Sequence, residues 1–153
     1  MNPIVVPTSV PDALSAVVDA PRALLALGMP GCAACMLLPA SLDELARARP
    51  DLAIAMGEFT SPADWRRRED LLWPRGVHVS RSSMPTLTLL ADGVAVASRP
   101  GGGPAVEIDA WLATHLGPAP EPLDAEPTTA ERAALDGLSA RIGRQAYVKG
   151  RGG

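Results

Sequence analysis

The apolar run Ala23-Leu24-Leu25-Ala26-Leu27 lies between Pro21 and Gly28 and leads directly into Gly31-Cys32-Ala33-Ala34-Cys35. A short, unbroken apolar run between chain breakers reads as a strand buried on both faces. Beyond the cysteines, Cys35 through Arg49 reads as a helix, with Leu38, Leu42 and Leu45 along one side. Two thiols therefore stand where a buried strand gives way to a helix. They are the only cysteines in the chain, so neither has another partner. That pattern points to a working dithiol that opens and closes within one turn rather than to a structural staple.

A chain of 153 residues, 47% of them hydrophobic, is long enough for one domain with a full core and an appendage. The net charge of −3 gives no general electrostatic case for nucleic acid or for an anionic membrane. No apolar run approaches the ~18 residues of a membrane span. Met1-Asn2-Pro3-Ile4-Val5-Val6 lacks the basic and apolar regions of a signal peptide. A cytoplasmic location is the default expectation, and there a lone CxxC is more often catalytic than structural. Lys149 is the sole lysine beside thirteen arginines, a bias suggestive of a GC-rich bacterial genome.

Along the chain, Ile4 to Val6 reads as a short strand. A helix follows from Ser9 to Asp12 onward, with Leu14, Val17 and Val18 on its apolar face and Pro21 after it. Leu52 to Met56 reads as a buried strand between Pro50 and Gly57, and Asp64 to Leu72 as a helix stopped by Pro74 and Gly76. Thr86 to Leu90 and Val94 to Ser98 are strands joined by Ala91-Asp92-Gly93, a strong hairpin signal. Gly101 to Gly103 leads to a helix from Pro104 to Leu116, with Val106, Trp111, Leu112 and Leu116 assigned to its buried side. The predicted order is β-α-β-α-β-α-β-β-α, an α/β fold with a mixed sheet and helices on both faces.

That order resembles thioredoxin over about residues 4 to 117. CxxC opens the second helix, Leu42-Asp43-Glu44-Leu45-Ala46 matches the same stretch of that helix, and Pro85-Thr86-Leu87, Asp92-Gly93 and Gly101 follow in register. The resemblance implies a thiol–disulfide oxidoreductase of thioredoxin fold, with Cys32 as nucleophile and Cys35 as resolving thiol. It further implies a cis Pro85 against the disulfide and a substrate groove at Gly31, Met84, Pro85 and Gly101. Several positions depart from the family pattern. Gly31 stands where the family usually has Trp, and Ala33-Ala34 where it has Gly-Pro. Ala26 replaces the buried Asp that assists the resolving cysteine, and Met56 replaces its lysine partner. The helix proline, Pro39, comes one residue early, and the segment from Thr60 to Met84 is longer than in a minimal thioredoxin.

At a helix N-terminus, unpaired N–H groups favour an anion, which raises the thiolate fraction of Cys32. With Ala26 in place of a carboxylate, Glu58, just past the third strand, is the candidate proton acceptor, and a solvated strand-end role is its plain alternative. A zinc site within one chain would need His78 and His115, which lie far from CxxC spacing, so neither metal nor cofactor is expected. The implied partners are a disulfide-bearing protein or small molecule and a thiol reductant or reductase as electron donor. Nucleic acid and membrane are not expected partners. Trp65-Arg66-Arg67-Arg68 reads as a solvated helix face, partly balanced by Glu69-Asp70.

Residues 1–117 form the expected domain, and 118–127 a Pro-rich acidic linker. Residues 128–153 form a helix opened by a capping box at Thr128-Thr129-Ala130-Glu131, then a basic tail. The segment from Pro118 onward is expected to be dispensable for fold and chemistry while offering a surface for a client. Two rival readings are a chaperone or maturation adaptor of the same fold and a redox sensor without turnover.

Overall fold

The computed structural model describes residues 5–121 and residue 123. Its elements are β1 (Thr8–Ser9), α1 (Val10–Val17), β2 (Arg22–Gly28), α2 (Ala33–Ala48), β3 (Ala53–Glu58), α3 (Pro62–Arg66), α4 (Arg68–Leu72), β4 (Thr86–Ala91), β5 (Val94–Pro100) and α5 (Ala105–Leu116). Five strands form one sheet in the order β1-β3-β2-β4-β5. β3 runs parallel to both β1 and β2, whereas β4 is antiparallel to β2 and to β5. The parallel steps need the crossovers through α1 and α2, and the last two strands need only a tight turn. Asp92 and Gly93 make that turn with positive φ at both positions, 49° and 80°, as a type I′ hairpin requires.

Strand alternation divides the core into two layers. Leu24 and Ala26 of β2, Met56 of β3, and Leu87 and Leu89 of β4 face α2 and α5, where Leu38, Leu42, Leu45, Ile108 and Leu112 meet them. Ala23, Leu25 and Leu27 face the opposite way, onto Val10, Ala13, Leu14 and Val17 of α1 and onto Leu72 and Val77. Ala23 through Leu27 are wholly inaccessible to solvent, as the sequence of β2 predicts.

Four sequence expectations shift. Val5 and Val6 are not in a strand, and Ile4 lies outside the described residues. Pairing with β3 begins at Thr8, past Pro7, which brings no N–H to a ladder. β3 continues through Gly57 to Glu58 instead of ending at Met56. A Cβ at position 57 would lie 3.0 Å from the Val10 Cα and the Ala13 Cβ, so the glycine marks a close approach of α1 rather than a stop. The predicted helix from Asp64 to Leu72 breaks at Arg67 (φ −89°, ψ 3°) into α3 and α4. On α5, Val106 points outward, and Ala105 and Ile108 take the interior beside Leu112.

Two polar ties fix the far end of α2. Arg49, only 3% exposed, donates from Nε to Asp109 on α5 at 2.6 Å and from Nη2 to the Gly117 carbonyl at 2.8 Å. Past Gly117 the chain keeps touching the domain. The Glu121 N–H donates to the Ala48 carbonyl at 3.1 Å, and Leu123 packs against the α2–α5 layer. The predicted capping box and C-terminal helix lie outside the described residues.

Candidate functional site

β2 delivers the chain to the site. It ends at Gly28, and Met29 through Gly31 turn into α2. Gly31 has φ 79°, a left-handed conformation that costs an L-residue about 1–2 kcal/mol; the bulky aromatic of the family pattern would be strained there. Cys32 is the N-cap of α2. Its Sγ accepts the backbone N–H of Cys35 at 3.1 Å, so the sulfur takes the place that a Ser or Asp oxygen fills in an ordinary cap. Cys32 and Cys35 are joined as a disulfide. Cys32 is partly exposed, and Cys35 is buried at 2% exposure. Pro39, inside α2, brings no N–H to the Cys35 carbonyl four residues back.

Cys35 lies over the end of β2. A Cβ built on Gly28 would stand 2.9 Å from its Sγ and 3.2 Å from its Cβ. The room under the sulfur therefore exists only because residue 28 has no side chain. Ala26 and Met56, neighbours across β2 and β3, fill the floor of the same layer. No carboxylate stands at position 26.

The register brings the other predicted residues to the same end of the sheet. Leu27 pairs with Thr86, so the Met84–Pro85 segment enters β4 beside the exit of β2. The Met84–Pro85 peptide bond is cis. Met84 packs against both core layers, and Pro85 is buried. Gly101 follows β5 and donates its N–H to the Pro85 carbonyl at 2.6 Å. The Ser41 hydroxyl of α2 donates to the Gly103 carbonyl at 2.7 Å, which ties the glycine segment to the helix carrying the cysteines.

Glu58 is the last residue of β3 and pairs with Gly28, the residue beneath Cys35. Alternation puts its side chain on the Ile54–Met56 face, the face that Cys35 also joins. It is partly exposed. His78 and His115 are exposed and stand in ring contact with Trp73 and Trp111. Among the described residues, no group of three or more His, Cys, Asp or Glu side chains is placed to hold a metal ion.

No protein-family model and no curated protein matches the chain by sequence. Solved structures do match. Thioredoxin f2 of Chlamydomonas reinhardtii superposes with a TM-score of 0.53 at 16% identity, covering 74% of this chain and 98% of that one. Thioredoxin O2 of Arabidopsis thaliana, in its oxidized state, gives 0.54 at 19% identity, covering 75% and 96%. The fold is that of thioredoxin. Nearly the whole of each plant or algal protein lies within this thioredoxin-fold chain, and the CxxC pair at disulfide distance is consistent with a thioredoxin-like protein.

Two residues of the site escaped the sequence reading. In the sequence Gly28 marks only a strand boundary, although a glycine a few residues ahead of a helix-capping cysteine is the available signal for close packing. Ser41 shows no motif of its own, because its partner lies 62 residues away. No helix among the described residues is long and apolar enough to cross a membrane.

Proposed function

We propose that the protein is a thiol–disulfide oxidoreductase acting on disulfides of proteins or small molecules. The observation that carries this reading is the asymmetric pair at the start of α2, one sulfur open and N-capping, the other enclosed. In the reduced protein, the helix N-terminus favours the Cys32 thiolate. Its sulfur attacks one sulfur of the substrate disulfide, that S–S bond breaks, and one substrate thiolate leaves. Cys35 then loses its proton and attacks Cys32 Sγ. The Cys32–Cys35 disulfide forms, the second substrate thiolate leaves, and the substrate has gained two electrons. A thiol reductant or reductase returns those electrons to the protein. A reducing compartment such as the cytoplasm suits that cycle.

The backbone about Gly31, Met84, Pro85 and Gly101 receives an extended substrate segment beside the disulfide. Glu58 accepts the Cys35 proton. Support comes from its position, since it shares the face of Cys35 and borders Gly28 in the sheet, and no acid stands at Ala26.

Turnover tests the reading. The wild-type protein should reduce a small neutral disulfide catalytically when a dithiol regenerates it, and Cys32→Ser should abolish this. Stoichiometric oxidation without turnover would favour the sensor or adaptor instead. Brief alkylation of the reduced protein should label Cys32 before Cys35, and Cys35→Ser should accumulate mixed disulfides. Glu58→Gln should slow release of the mixed disulfide by up to about a hundredfold, the lower range of a positioned base. An unchanged release rate would remove Glu58 from the cycle.

A further inference from the structure

The stretch between β3 and β4, residues 59 to 85, builds a second feature at the same end of the sheet. Phe59 meets Trp65 edge-on, with ring centroids 5.0 Å apart. Two guanidinium groups lie over the same indole, Arg68 at 4.2 Å and Arg81 at 4.8 Å from its centroid. These rings, with Met29, Thr60, Ser61 and Arg81, line a pocket of about 190 Å³. Met29 belongs to the turn that leads into Cys32, and its carbonyl accepts the Cys32 N–H at 3.4 Å. The pocket therefore shares the Met29 turn with Cys32.

Its charge is uncompensated. Residues 60–84 carry Arg66, Arg67, Arg68, Arg75 and Arg81 against Asp64, Glu69 and Asp70, in a chain whose net charge is −3. The Arg68 side chain donates to the Trp65 carbonyl at 2.7 Å. Arg81 is exposed and makes no ion pair or side-chain hydrogen bond among the described residues. Of the two, Arg81 lines the pocket and Arg68 does not, so an anion in the pocket meets the Arg81 guanidinium, which keeps its place over the indole and gains a charged hydrogen-bond partner.

We infer that this pocket binds an acidic side chain of the substrate, a Glu or Asp next to an apolar residue in an extended segment flanking the disulfide. The inference deepens the exchange reading and rests on it for the identity of the segment as substrate. The size decides between ligand classes. A volume of about 190 Å³ falls below the ~300–1,000 Å³ of sites that enclose a whole small molecule, and it suits one side chain of a larger partner. The charge decides between macromolecules. Nucleic acid affinity grows with the number of phosphates neutralised, and one pocket-lining arginine in a chain of net charge −3 suits a single carboxylate better than a phosphate backbone.

Binding of a cysteine-free peptide tests the pocket without relying on redox chemistry. The probe carries two glutamates flanking a phenylalanine, and its control carries glutamines in their place. The acidic peptide should bind about tenfold more tightly at low salt, and the difference should shrink as salt rises. Arg81→Glu should erase the preference. Arg22→Glu, at the far end of β2, should keep it, with melting temperatures of both variants checked against wild type. Equal binding of the two peptides, or an unchanged preference in Arg81→Glu, would overturn the proposal. So would tighter binding of a single-stranded oligonucleotide than of the acidic peptide. Turnover of the small neutral disulfide is followed in parallel. Its failure beside intact acidic-peptide binding would remove the exchange reading and leave the pocket, and the converse result would remove only the pocket.

Discussion

At the scale of single residues, the site depends on what is missing as much as on what is present. Gly28 is needed for space, since a methyl there would stand 2.9 Å from the Cys35 sulfur. Cys35 is set on a helix whose next turns are packed through Leu38 and Leu42, so neither partner can easily give way. Gly28→Ala should therefore destabilise the protein by about 1–3 kcal/mol, the usual cost of overpacking a core. Thermal unfolding should show this as a fall of several degrees, and an unchanged midpoint would mean that α2 lifts freely off the sheet. Cys32 offers the complementary lesson. The sequence places both thiols at the helix N-terminus but starts the helix at Cys35, whereas α2 begins at Ala33 and makes Cys32 its cap. The clearance under Cys35 does not follow from the sequence, because it depends on how closely a helix lies over a strand end.

At the scale of elements, α2 and α5 are held together by a buried ion pair as well as by their leucines. Arg49 and Asp109 are 60 residues apart, and neither stands in a pattern that names the other. Removing one partner leaves a buried charge without its counterpart, which typically costs about 3–5 kcal/mol. Asp109 retains 17% side-chain exposure, so Asp109→Ala should fall near the lower end of that range in denaturant unfolding. The double change Arg49→Met with Asp109→Leu should recover most of the loss, because an apolar pair replaces both charges. A double variant as unstable as the single one would show that the Arg49 bond to the Gly117 carbonyl carries the stability instead. The same scale explains why β3 runs on through Gly57 to Glu58. Gly57 resembles a terminator in one dimension, and only the packing of α1 against it shows why a strand would carry it. Alternation through that glycine then brings Glu58 to the face of the disulfide, a placement hidden when β3 is taken to end at Met56.

For the molecule as a whole, the chain keeps contact with the α2–α5 layer past the last helix. The sequence suggests that everything from Pro118 is separable, since so Pro-rich a stretch cannot lengthen α5. Yet the Glu121 N–H and the Leu123 side chain both return to the α2–α5 layer. Truncation after Gly117 should lower stability by about 1–2 kcal/mol, one hydrogen bond and a half-buried leucine, whereas a chain ending at Leu123 should keep it. Equal melting temperatures for the two would mean that neither contact persists in solution. The element order, the hairpin and the position of the thiols were legible because each is a local pattern at the right spacing. The pocket at Trp65 was not, because Arg68 lies on the same short stretch but Arg81 arrives from sixteen residues away, and a run of arginines alone resembles any solvated helix. That pocket belongs to a segment that leaves the sheet at the end of β3 and rejoins it at the start of β4. Doubling the length of such an excursion costs roughly 0.6 kcal/mol in closure entropy and shifts no strand. This one excursion can thus be lengthened, shortened or recharged without moving the strands that set the cysteine pair in place.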